Sequence, residues 1–237
     1  MTESLGTIPS LRAVPYGPGG SNAVGLLSTY QRSQIAGIAT FLELPAGKLV
    51  YREGANAQSV FMIASGIVKS FHDLPSGKRR VLAFLGADDV FGLAESGHYV
   101  NSVQTITSVT LYRMRVATLV DVLRKDASLA FQFLCKVTHE LRGSLRHAVI
   151  VTRPDAMGRV TMLLRMLEQT SQLSEGSTID FPMSRLDAAS YLGLSLEAVS
   201  RALSRLERSG IIAFEGRQRR TLRVLDRTRF EKIAAAL

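Results

Sequence analysis

Between Arg185 and Leu206, small and branched apolar residues fall at a spacing that few local architectures require. Counting Arg185 as the first position, the fifth is Ala189, small enough for two helices to approach closely; the ninth is Gly193, free to take the left-handed backbone of a tight turn; the fifteenth is Val199, suited to an inward-facing site. That spacing predicts a helix-turn-helix. Ser195 stands where the second helix needs its N-cap, and Glu197 falls in the first turn, where the helix dipole favours negative charge. After Gly210, the runs Ile211-Ile212-Ala213-Phe214 and Thr221-Leu222-Arg223-Val224 flank Glu215-Gly216-Arg217-Gln218-Arg219-Arg220. Two apolar runs around a glycine-bearing basic stretch predict a hairpin, the wing of a winged helix.

Leu194, Ala198, Val199, Ala202, Leu203 and Leu206 supply a packed side for the second helix. Glu197, Ser200, Arg201 and Ser204 fall at i, i+3, i+4 and i+7 and share one polar face, with Ser195 and Leu196 at its leading edge. In a major groove a carboxylate accepts from cytosine N4, and a guanidinium donates two bonds to guanine O6 and N7; Glu197 and Arg201 therefore suit a G·C pair. The plain alternative is an i, i+4 surface ion pair worth roughly 0.2–0.5 kcal/mol, but the surrounding motif favours base readout. Charge agrees. Lys and Arg number 29 against 20 Asp and Glu, and residues 201–229 hold nine arginines and three acids, six of the net nine positive charges. On this reading Arg217, Arg219 and Arg220 at the wing tip contact phosphate.

Upstream the hydrophobic period changes twice. From Leu44 to about Arg115, short β-type runs (Leu49-Val50-Tyr51, Val60-Phe61-Met62-Ile63, Ile67-Val68, Val81-Leu82-Ala83-Phe84 and Val109-Thr110-Leu111-Tyr112) alternate with Pro45-Ala46-Gly47, Glu53-Gly54, Ser65-Gly66 and Ser76-Gly77. Such spacing predicts an antiparallel barrel or jelly roll. From about Ala127 to Val151 the residues Leu134, Val137, Leu141, Ser144, Ala148 and Val151 recur in steps of three and four, forming one seam on a long helix. A seam of that length needs a partner, and a two-fold mate supplies one. Met157 to Leu167 reads as a further amphipathic helix. The expected organisation is a flexible arm at 1–27, a β-roll at 28–125, a dimerisation helix at 126–152 and a winged helix-turn-helix domain at 153–237.

The stretch Leu192-Gly193-Leu194-Ser195-Leu196-Glu197-Ala198-Val199-Ser200-Arg201-Ala202-Leu203 closely resembles the recognition helix of the FNR and FixK branch of the CRP-FNR superfamily, with its E-x-x-S-R signature. Leu44-Pro45-Ala46-Gly47, Glu53-Gly54, Ser65-Gly66 and Asp89-Val90-Phe91-Gly92-Leu93 resemble, in order, the landmarks of that family's cyclic-nucleotide-type β-roll. The resemblance covers about residues 30 to 237. It implies an α+β fold and a homodimeric transcription regulator on a palindrome of TTGA-type half-sites, commonly an activator that contacts RNA polymerase. Leu196 stands where the cAMP-responsive branch carries arginine, which favours the FNR/FixK-type site.

Departures from the family bear on the sensor. The cAMP-binding branch holds the cyclic phosphate with an Arg-Ser pair shortly after Phe-Gly, whereas His98-Tyr99-Val100-Asn101-Ser102 contains no arginine, leaving an anionic phosphate without its charge partner. Cys135 is the sole cysteine, too few for a protein-held iron-sulfur cluster, and reads as a packed small hydrophobe. The position of an oxidisable cysteine in some FixK-type proteins corresponds to Ser184. His139 and His147 are eight apart, not the i, i+4 spacing that best joins two metal ligands on one helical face; His72 and His98 read as loop residues, and Lys78-Arg79-Arg80 most simply as a solvated turn, with contact to flanking DNA or polymerase as the alternative. Asp88 stands where the family usually has glycine and tolerates a left-handed turn better than most residues. No metal or cofactor is expected, no apolar run is long enough for a membrane span, and the first thirty residues lack a secretion signal, so a cytoplasmic location is expected. The runner-up is a regulator gated by an unidentified ligand or haem in the β-roll, and a further class is a cyclic-nucleotide-binding module of a kinase or channel. No P-loop, nucleophile elbow or His-Glu-x-x-His is present, which disfavours an enzyme.

Overall fold

The computed structural model describes residues 35–170, 178–216 and 218–235, so the arm expected at 1–27 and Arg217 lie outside the described residues. Contacts divide the chain into two units, one holding residues up to Val68 with Leu85–Leu141 and the other Lys69–Phe84 with Arg142–Leu237.

The first unit is built on β3 (Ser59–Ser65), whose period-two alternation serves two cores. Val60 and Met62 join Val90, Met114, Leu119, Leu129 and Phe133 on one side; Phe61 and Ile63 join Tyr51, Phe91, Tyr99, Val103 and Leu111 on the other. β3 pairs antiparallel with β8 (Val109–Arg115), placing Val60 opposite Met114 and Ile63 opposite Leu111, and with β6 (Val90–Phe91). β1 (Ala39–Leu44) pairs with the free side of β8, giving the order β1-β8-β3-β6. β2 (Leu49–Tyr51) pairs antiparallel with β7 (Ser102–Thr105). Helix α1 (Val116–Lys125) follows, burying Leu119, and Asp126 then caps α2 (Ala127–Thr152) by accepting from the Leu129 amide at 2.9 Å.

The second unit includes Lys69–Asp73 of β4 (Val68–Asp73) and Arg79–Phe84 of β5 (Arg79–Leu85), which turn through Leu74–Lys78. The end of α2 leads to α3 (Ala156–Thr170), then β9 (Ile179–Asp180), α4 (Arg185–Leu192), α5 (Leu196–Arg208), β10 (Ile212–Glu215), β11 (Thr221–Val224) and α6 (Arg227–Ala235). β11 sits between β10 and β9. Val160, Leu163, Leu164, Val199, Leu203, Leu206, Leu222 and Phe230 are buried. Arg153, almost fully buried, donates to the Ile233 and Ala234 carbonyls and so caps the C-terminus of α6.

The fold is thus the expected α+β arrangement of strand-rich roll, long helix and winged helix-turn-helix. Three local readings are corrected. His72 lies inside β4 and is not a loop residue. The strand extends six residues from Val68 because Lys69 and Ser70 are buried with it, although their polarity hid it in the sequence. Lys78-Arg79-Arg80 is not simply a solvated turn: Arg79 lies 3.8 Å over the Phe71 ring and pairs with Asp73 at 3.0 Å, and Arg80 donates to the Ser190 carbonyl at 3.2 Å.

Candidate nucleic-acid interface

The reading helix is bounded by chemistry on both sides of the turn. Ser184 caps α4 by accepting from the Asp187 amide at 3.0 Å, and α4 ends on Gly193 in the left-handed conformation, φ 64°. A side chain there would be strained, which is why the ninth position of the motif favours glycine. Ser195 then caps α5, its hydroxyl accepting from the Ala198 amide at 3.1 Å. Val199, Ala202, Leu203 and Leu206 are buried beneath α5, and Ala189 is buried in α4. This packing turns the other face outward: Ser195, Leu196, Glu197 and Arg201 are exposed, with Ser200 and Ser204 half-buried between them.

Glu197 is fully exposed, and its carboxyl is held below the ordinary range by its own backbone amide, then by the Ser195 hydroxyl, with the Arg201 charge adding a smaller effect. The carboxylate is ionised across the neutral range and can only accept hydrogen bonds. Five donors on Arg201 complement it. One face therefore presents an acceptor and a fork of donors one turn apart.

The wing is the β10–β11 hairpin, with Ile212 opposite Val224 and Glu215 opposite Thr221. Its tip differs from a row of free arginines. Arg219 adopts φ 51°, pairs with Glu207 of α5 at 2.6 Å and lies 4.3 Å over the Phe214 ring. That hydrogen bond is the leading reason the Glu207 carboxyl lies below its ordinary range. Arg220 is exposed; its carbonyl accepts from the Phe181 amide, which ties β9 to the wing. The Arg219–Glu207 pairing was not evident in the sequence, since twelve residues separate the partners.

Residues 41–126 match the cyclic nucleotide-binding domain family and residues 158–233 the Crp-like helix-turn-helix domain family. The chain belongs to the CRP-FNR family. It is 31% identical over 194 residues to the nitrogen fixation regulation protein FixK of Bradyrhizobium diazoefficiens, covering 81% of this chain and 80% of that one. The transcriptional activatory protein AadR of Rhodopseudomonas palustris is 27% identical over 90% of this chain and 88% of its own. The solved structure of FixK2 from Bradyrhizobium japonicum superposes with a TM-score of 0.76 at 30% identity, covering 84% of this chain and 99% of FixK2. The chain is a FixK-type DNA-binding transcription regulator, and the relatives named here are regulators rather than enzymes.

In this CRP-FNR regulator Tyr99 and Ser102, in the stretch that lacks the family's phosphate-binding arginine, are buried. The Tyr99 ring stacks on Tyr51 with centroids 3.7 Å apart, and its hydroxyl donates to the Ser59 carbonyl at 2.8 Å. Tyr51 donates to Asn101 Oδ1 at 3.2 Å, and Ser102 Oγ accepts from the Glu53 amide at 3.0 Å. Phe61 and Phe91 stack within the same cluster at 5.2 Å. Val100, within the stretch that lacks the phosphate-binding arginine, is exposed. Asp88 takes φ 73°, so the left-handed turn survives without glycine.

On α2 the seam residues Leu134, Val137, Leu141, Ser144 and Ala148 are exposed, while Val151 is half-buried. Phe131, Leu145 and Val149 are also exposed, and Leu145 falls four residues after Leu141 on the same stripe. Cys135 is half-buried, and the side chain of His139 lies outside the described residues. Among the described residues no group of three or more His, Cys, Asp or Glu side chains forms a metal-binding cluster, and no helix is long and apolar enough to cross a membrane.

Proposed function

We infer that this regulator works as a homodimer that sets two copies of α5 into the major groove of double-stranded DNA at an inverted repeat of TTGA-type half-sites. The observation that carries the reading is the α5 face, where Glu197 and Arg201 are exposed one turn apart above a buried apolar side. Arg201 donates to guanine and Glu197 accepts from the paired cytosine, with Ser195, Leu196, Ser200 and Ser204 around them. Arg220, together with Arg217 and Arg219, adds sequence-independent attraction to phosphate. The apolar stripe of α2 supports the two-fold partner. Activation through contact with RNA polymerase, in the cytoplasm, is what the family resemblance implies, and the similarity to the transcriptional activatory protein AadR accords with it.

Binding is proposed to be independent of cyclic nucleotide. The Tyr51, Phe61, Phe91 and Tyr99 cluster and the absence of arginine from residues 98–102 both favour this over a gated roll. Fluorescence anisotropy on the inverted-repeat duplex, with and without cAMP, tests it. The same Kd in both conditions is expected, and strict dependence on cAMP overturns the reading.

A further inference from the structure

Helix α4 is not the helix assigned to base readout, yet side chains from other segments engage it at both ends. Near its N-terminus, Asp187 Oδ1 accepts from Lys69 Nζ of β4 at 2.5 Å, with the two side chains only 11% and 17% exposed, while Oδ2 accepts from the Ser184 hydroxyl at 2.8 Å. A helix C-terminus leaves its last carbonyls without intrahelical partners. Here the Ser190 carbonyl accepts from Arg80 of β5 at 3.2 Å, the Tyr191 carbonyl from His147 Nε2 at 2.6 Å, and the Leu192 carbonyl from Arg159 at 2.9 Å. The Ser190 hydroxyl accepts from the Val81 amide at 2.9 Å and donates to the Arg79 carbonyl at 2.7 Å, locking it to β5 from both directions. The Tyr191 ring stacks on His147 at 4.0 Å and meets Phe84 at 5.1 Å.

Lys69, Arg79, Arg80, Val81 and Phe84 all belong to the stretch that matches the cyclic nucleotide-binding family, yet they pack within the same contact unit as the helix-turn-helix. With the hairpin engaged, Glu197 and Arg201 remain exposed. The contact therefore does not cover the reading face; it holds the helix from which that face projects. We propose that the β4–β5 hairpin is a positioning element for DNA binding, acting through Lys69 on Asp187 and through its two hydrogen bonds with the Ser190 hydroxyl. The proposal rests on α5 being the DNA-reading helix.

Removing Lys69 leaves the Asp187 carboxylate without its buried partner and lets α4 and α5 sample other orientations. Only the fraction that keeps the held pose presents the reading face, so the apparent Kd rises by the inverse of that fraction. Because Lys69 is buried and is not a phosphate contact, every duplex weakens equally and the salt slope stays the same.

The test uses the full chain carrying Lys69→Met, Asp187→Asn, both together, Ser190→Ala or Lys69→Arg. Anisotropy is measured on the inverted-repeat duplex and an unrelated duplex at several salt concentrations, with the active fraction fixed by stoichiometric titration. The first two variants and Ser190→Ala should raise Kd about fivefold or more on both duplexes at an unchanged salt slope. The double variant should be no worse than the weaker single, because both remove the same contact. Lys69→Arg should stay within about twofold of wild type, since it keeps the charge on Asp187. Hydrogen exchange of the α4 amides should quicken in the weakened variants. If Lys69→Met does not fold, Ser190→Ala carries the same test without removing a charge. An unchanged Kd in folded variants, tighter binding, or a loss that vanishes once inactive protein is subtracted overturns the proposal. Wild-type protein that binds neither duplex overturns the reading of α5 itself.

Discussion

Leu141→Glu probes the assembly on which a palindromic site depends. Phe131, Leu134, Leu141 and Leu145 are 59–62% exposed and Val137 and Val149 are 40–46% exposed, so each leaves roughly half its surface for a partner to cover. Fully burying such a side chain contributes about 1.5–3 kcal/mol, so half of that from six residues on each of two protomers gives a gross gain of about 9–18 kcal/mol. Association costs about 4–15 kcal/mol in lost freedom and ordering, leaving a modest surplus. A carboxylate at position 141 enters the interface twice by symmetry, and each unpaired charge costs several kcal/mol. The surplus is then exhausted. Light scattering across a micromolar concentration series should show monomer for Leu141→Glu and dimer for wild type. Leu186→Glu, a change at an equally exposed leucine on α4, should remain dimeric. A Leu141→Glu protein of wild-type dimer mass refutes the assignment of this stripe.

Burial pushes the Asp89 carboxyl above its ordinary range, against the Gly86 amide and the Lys136 charge, so the folded state binds its proton more tightly than the unfolded state does. The resulting penalty is absent well below pH 4 and complete above the raised folded value; Asp89→Asn should therefore raise Tm most at pH 8 and leave it nearly unchanged at pH 3.5, as thermal unfolding at both pH values would show. At the wing, Arg220→Ala should reduce the salt slope of DNA binding by about one per subunit, whereas Arg219→Ala should reduce it less, because Glu207 already pairs with that charge. Equal slopes for the two variants would contradict the distinction. Arg219→Ala should also change unfolding free energy by no more than about 1 kcal/mol, the range of a partly exposed ion pair.

The legible parts of the fold were those where polarity and period agree. The glycine turns announced β2, β3, β5 and β8, and the three-and-four spacing announced α2 because one face of that helix is apolar and exposed. Only Val68 of β4 falls within a β-type run of the sequence, because Lys69 and Ser70 place polar side chains in a buried strand; the carboxylate that satisfies Lys69 lies 118 residues away. Helix α1 falls in a stretch read as part of the roll, with only Asp126 between it and α2. On the candidate site, the polar face of α5 could be read at i, i+3, i+4 and i+7 because the helix between Ser195 and Ser209 is regular. The hairpin contacts with α4 could not, since backbone carbonyls of Ser190, Tyr191 and Leu192 carry no side-chain signature. Leu145 lies off the seam through Ser144 and Val151 because that seam follows a slightly different line around the helix than the exposed stripe does.

Base readout by Arg201 is the most direct test of the account. A bidentate arginine–guanine contact is worth about 1–3 kcal/mol, so losing it at both half-sites removes about 2–6 kcal/mol. At 1.4 kcal/mol per tenfold, that is a weakening of roughly 30-fold or more. Titrations of wild type and Arg201→Ala should be run against the inverted repeat, its guanine-substituted version and an unrelated duplex. The account predicts that wild type prefers the intact repeat over the substituted one by this factor, and that Arg201→Ala binds the two alike while keeping its affinity for unrelated DNA within severalfold. If Arg201→Ala weakens all three duplexes equally and still prefers the intact repeat, the assignment of α5 as the reading helix is contradicted.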